Sequence, residues 1–157
     1  MYGFDGLRLR AFARKHASAS TLSRLGGKAH PHIVGFVEFP AMTQPLVTVE
    51  QRAQLLANGE ARAAGQGIDP LPVVRLFTPD AHATWLLGAL DPADGDTAWG
   101  LIDLGIGMPE LGTVKLSDLA GIVGPQQRPV LRDIYFHAAR PLSGYVELAQ
   151  RDGSIPD

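Results

Sequence analysis

Asp103 is the polar residue that asks most of its surroundings. It lies near the end of Trp99-Gly100-Leu101-Ile102-Asp103-Leu104, the most apolar part of the chain. The two-residue repeat of a strand puts it on one face with Trp99 and Leu101. A carboxylate in that setting must be paired, hydrogen-bonded or placed at a site. Two chemistries follow. Asp103 could accept amides from the Gly105–Gly107 turn that comes next, or it could join Glu110 in a binding or catalytic cleft. His137 could add an imidazole to such a cleft. Asp133 cannot serve as its partner within one strand, because four residues of strand span about 13 Å. A partner for His137 must come from another element, and a surface or packing role is its default. Trp85 and Trp99 are the two tryptophans. They fall on neighbouring expected strands, where they could stack across the sheet as core or form an aromatic contact surface. Asp103, Glu110, Trp85, Trp99 and His137 are therefore the candidate cleft residues.

Other constellations carry less. Gly105-x-Gly107 follows a strand, but a dinucleotide fingerprint needs a third glycine where Glu110 stands, and a carboxylate would repel a pyrophosphate. Glycines that allow positive φ in a tight turn are the simpler account. Asp91, Asp94 and Asp96 around Gly95 suggest a calcium loop, yet Ala93 sits at loop position 3, where an acid is needed, and the spacing is wrong for an EF-hand. A solvated acidic turn fits better. His30-Pro31-His32 has no cysteine and no nearby acid to complete a tetrahedral set, so no metal and no cofactor are expected.

The elements that must position these residues can be followed along the chain. Thr48-Val49-Glu50-Gln51 fits a capping box that opens a helix, and Asn58-Gly59 offers a stop from which the helix could resume through Ala64. Val73–Phe77, Thr84–Leu90 and Trp99–Leu104 follow as strands joined by short turns, which suits an antiparallel meander. Thr113–Lys115 could pair briefly, and Ser117 could cap a short helix through Val123. Val130–Phe136 is the fourth expected strand, and Pro141-Leu142-Ser143 opens a C-terminal helix to about Gln150. The expected fold is α+β: a small antiparallel sheet of about four strands with helices packed on one side.

Charge sets the expected domain limits. Residues 1–41 carry six basic groups and two acids, a net +4, while the rest of the 157-residue chain carries eight basic and fourteen acidic groups, a net −6. A basic, Ser-rich and acid-poor leader fits a transit peptide or a start assigned too far upstream of Met42. The Arg, Ala, Gly and Pro bias of a GC-rich bacterial genome favours the second. Residues 1–41 are thus expected to be disordered or a mis-assigned start, apart from a possible edge strand at Ile33–Phe39, and residues 42–157 to form one domain. There is no secretory signal and no run near the ~20 apolar residues of a membrane span, so a cytoplasmic location is expected. The acidic domain lacks the basic stripe of a nucleic-acid binder, which leaves protein as the expected partner.

Several of these segments resemble a bacterial family, domain of unknown function 2958. The resemblance runs from about Leu46 to Arg151. It rests on Leu55-Leu56-Ala57-Asn58-Gly59, Pro72-Val73-Val74 with Leu76-Phe77-x-Pro79, Thr84-Trp85-Leu86-Leu87 and Asp91-Pro92. Its most specific block is Asp103-Leu104-Gly105-Ile106-Gly107-Met108-Pro109-Glu110-Leu111-Gly112. Arg132-Asp133 with Phe136, and Pro141-Leu142-Ser143 with Tyr145, complete it. The resemblance implies an accessory product of plasmids or integrated conjugative elements and transfers no catalytic residue. Three functions follow as expectations: a small accessory or interaction protein of a mobile element, an enzyme built on Asp103 and Glu110, or an acidic DNA mimic. The mimic requires Asp80, Asp91, Asp94 and Asp96 to share one face.

Overall fold

The computed structural model describes residues 44–157. The possible strand at Ile33–Phe39 lies outside the described residues. Helix α1 (Val49–Ala63) starts at the expected capping box. The Thr48 hydroxyl accepts from the Gln51 amide at 3.1 Å, and the Gln51 side chain accepts from the Thr48 amide at 2.9 Å. The helix runs through Asn58-Gly59 without a break, because Gly59 is buried against the sheet and tertiary contact outweighs its poor helix propensity.

Strands β1 (Val74–Phe77), β2 (Thr84–Leu90), β3 (Thr97–Asp103) and β4 (Glu110–Lys115) then run as a meander. Helix α2 (Leu116–Ala120), the short strand β5 (Leu131–Arg132) and helix α3 (Leu142–Asp152) complete the domain. All pairings are antiparallel, in the order β4-β3-β2-β1-β5. The class is α+β with a small antiparallel sheet. The sheet has five strands rather than four, because residues 110–115 form a full edge strand.

The helices do not share one side. Leu55 of α1 and Leu116 and Leu119 of α2 pack with Trp85, Leu87 and Ile102 on one face. Leu142, Tyr145 and Ala149 of α3 pack with Leu86 and Leu101 on the other. Alternating β2 and β3 residues therefore feed two cores, which is why β2 is buried at every position after Thr84. Each fully buried leucine contributes roughly 1.5–3 kcal/mol, so both layers matter to stability.

Two local expectations change. Val130–Phe136 pairs only at Leu131 and Arg132, since Asp133 turns the chain by accepting from the Tyr135 amide at 2.9 Å. Ser117 does not cap α2; its amide and hydroxyl both bond Asp96. Between Leu87 and Ala89 the β2–β3 register shifts by a bulge at Gly88, whose carbonyl accepts from the Asn58 side chain at 2.8 Å. No helix among the described residues is long and apolar enough to cross a membrane.

Candidate functional site

Asp103 closes β3 and is 4% exposed. One carboxylate oxygen accepts from the Gly105 amide at 2.8 Å, and the other accepts from the Ile155 amide at 3.0 Å. The first bond is the local turn that the sequence offered, and Gly105 and Gly107 take the positive φ values of 73° and 78° that such a turn needs. The second reaches 52 residues along the chain and pins the segment after α3 across the end of the sheet.

Glu110 does not meet it. Glu110 pairs with Ile102, so it points to the Trp85 face, whereas Asp103 pairs with Thr84 on the α3 face. Glu110 is also exposed. His137 is exposed five residues beyond the end of β5, rather than directly after a strand. Trp85 and Trp99 lie on opposite faces, so they do not stack. Trp85 is core at 1% exposure, and its indole N–H has no acceptor. Trp99 is half-buried under the Arg62 guanidinium, 3.5 Å above its ring. Burial there lowers the Arg62 pKa below its ordinary value. The five expected cleft residues are thus dispersed, and of them Asp103 alone reaches the cavity beside the β3–β4 turn.

That cavity, about 490 Å³, lies between the β1–β2 loop, the β3–β4 turn and the chain after α3. Arg75, Thr78, His82, Thr84, Asp103, Ser154 and Asp157 supply its polar wall. Arg75 is the residue missed from sequence. It is the one charged side chain inside the apolar run Val73–Phe77, and a charge so placed needs a partner just as Asp103 does, which was the signal that could have found it. Its guanidinium stands 3.5 Å from Asp133 and 2.8 Å from Asp157.

Asp80 does not fall at the same end of the sheet as Asp91, Asp94 and Asp96. Asp80 sits in the β1–β2 loop and accepts from the Gln126 amide, while Asp91, Asp94 and Asp96 belong to the β2–β3 turn at the other end of β2. Arg52 donates into that turn at the Gly95 carbonyl. Asp94 is the most perturbed acid. The Thr97 hydroxyl, then the Thr97 and Asp96 amides, lower its pKa from the ordinary 3.8 to about 2. A depressed carboxylate stabilises the fold above its unfolded pKa, and that contribution is lost as pH falls through about 2. Carbon NMR of the Asp94 carboxyl should therefore show a midpoint near 2. Thr97→Val should move the midpoint up toward 3.8; an ordinary midpoint in the parent chain would refute the bonding scheme.

Among the described residues no group of three or more His, Asp or Glu side chains could hold a metal ion. Neither the curated proteins nor the solved structures offer a match to the chain. A family model described as "Protein of unknown function (DUF2958)" matches residues 46–156, which include every described element and the whole of this cavity's wall apart from Asp157. The chain belongs to the DUF2958 family.

Proposed function

We propose that this protein is a small accessory interaction protein of a bacterial mobile genetic element, acting in the cytoplasm by binding another protein. The observation that carries this reading is the state of Asp103. Its carboxylate is taken up by two backbone amides, and Glu110 is turned to the opposite face. The best acid–base candidate is thus a structural brace. Surface apolarity supports binding: Ile106 is 67% and Met108 70% exposed in the β3–β4 turn, next to half-exposed Leu111. Adjacent exposed apolar side chains mark contact surfaces more often than chance solvent exposure does. The mobile-element context rests on the family resemblance.

Cross-linking of the tagged full chain in its bacterial host tests the proposal. A specific protein should be captured by the parent chain and lost with Ile106→Asp/Met108→Asp, whose circular dichroism should match the parent. Equal capture by both chains would overturn it, as would turnover of a defined substrate by the parent chain.

A further inference from the structure

The strongest unassigned feature is the guanidinium of Arg75. Nη1 faces Asp133 at 3.5 Å, and Nη2 donates to Asp157 at 2.8 Å. Nε is shielded from solvent and has no partner. Nε and Nη2 form one edge of the guanidinium, the edge that grips a carboxylate through two parallel bonds. Asp157 uses only half of that edge. Asp133 does not complete it, because it faces Nη1, away from the Nε–Nη2 edge.

Asp157 is weakly held as well. Its side chain is fully exposed, and ion pairs to exposed partners contribute little. The space around Arg75 is elongated. The 490 Å³ cavity and a second of about 340 Å³ share Arg75, Phe77 and Asp157 as a common wall. The second is otherwise lined by Arg132, Asp133, Ile134 and Tyr135, with Ile134 58% and Tyr135 84% exposed. A cation whose bidentate edge is only half used therefore stands midway along a groove whose far end presents apolar side chains.

We infer that this groove binds an extended peptide segment of a partner protein. An Asp or Glu side chain of that segment displaces Asp157 from Arg75, and an apolar side chain nearby rests on Ile134 and Tyr135. The inference rests on the interaction reading above and adds to its Ile106–Met108 surface a groove that Gly105 and Gly107 of the same turn border, with the chemistry of the segment it takes. The orphaned Nε decides between ligands. A basic side chain leaves it unsatisfied and a neutral one offers a single uncharged acceptor, whereas a carboxylate satisfies Nε and Nη2 together through its two oxygens.

Fluorescence anisotropy of the full chain against a hexapeptide library tests this. Each labelled peptide carries one central Glu among apolar residues, and a matched set carries Gln instead. Glu peptides should bind the parent chain, and Asp157→Asn should tighten them about fivefold by removing the resident carboxylate. Gln peptides should be unaffected. Arg75→Gln should abolish the preference for Glu, and because Asp157 is exposed the Asp157→Asn arm does not depend on Arg75→Gln folding. Equal binding of both peptide sets, or no response to Asp157→Asn, would overturn the assignment. Tightening by Glu38→Gln instead would also overturn it, by giving the groove to the chain's own Ile33–Phe39 run. A partner captured by cross-linking but indifferent to Asp157→Asn would remove this inference and leave the interaction reading standing.

Discussion

Gly59→Ala is expected to destabilise the domain by about 2–4 kcal/mol, although the same change in an exposed helix stabilises by roughly 1 kcal/mol. The reason is a backbone contact. A Cβ at residue 59 would lie 1.7 Å from the Leu90 carbonyl oxygen and 2.7 Å from its carbon. Neither atom can rotate away, so α1 would have to back off from β2 by more than an ångström. That movement strains the bond from Asn58 to the Gly88 carbonyl and loosens Leu55, which is fully buried in the core beneath α1. The steric cost outweighs the gain in helix propensity. In thermal unfolding the midpoint should fall by roughly 10–20 °C for a domain of this size. Ala57→Gly, on the exposed side of the same helix, supplies the comparison and should cost only about 1 kcal/mol. An unchanged or higher midpoint for Gly59→Ala would show that the helix does not sit on the strand as described.

Asp103→Ala should cost about 3 kcal/mol. It removes the acceptor of two charge-assisted bonds and leaves the Gly105 and Ile155 amides to find water or go unpaired. Asp103→Asn would not rescue both, since the NH2 group of the new side chain would face one of the two donors. The distinguishing measurement is hydrogen exchange at single amides. Gly105 and Ile155 should both exchange faster in Asp103→Ala, which removes both acceptor oxygens, although they are far apart in sequence. Faster exchange at Gly105 alone would reduce Asp103 to a local turn former and detach it from the segment after α3. Ile155 is 7% exposed in the α3 core, so the loss should also reach Tyr145 and Ala149.

Much of the framework was legible from local chemistry. The capping box at Thr48, the β2 and β3 runs and the α3 start at Pro141 each depend on residues a few positions apart, and these elements formed where expected. The relation between the tryptophans was not legible, because it depends on the bulge. At the turn Leu90 pairs with Ala98; carried through without a bulge, that register would set Trp85 opposite Asp103, on the face of Trp99. The extra residue at Gly88 instead pairs Trp85 with Ile102, so the two rings part to opposite faces. Asp103 shows the same division. Its turn contact was visible two residues away, whereas its hold on Ile155 depends on where α3 leaves the chain. Arg75 was missed because its partners, Asp133 and Asp157, are distant in sequence.

The strand order also dictates a timetable of assembly. β1 to β4 each join the strand next in sequence, through connections short enough to close in well under a millisecond. β5 breaks that pattern: Arg132 must return to Leu76, on the far side of the meander. Loop-closure entropy penalises that step, which returns two residue pairs and the Asp133 amide bond to the Arg75 carbonyl, so the β5 edge is expected to join late and open first. The wall that carries Ile134 and Tyr135 hangs from this edge. It can therefore breathe while the four-stranded meander stays folded, and an incoming chain segment would meet the least costly part of the protein to rearrange.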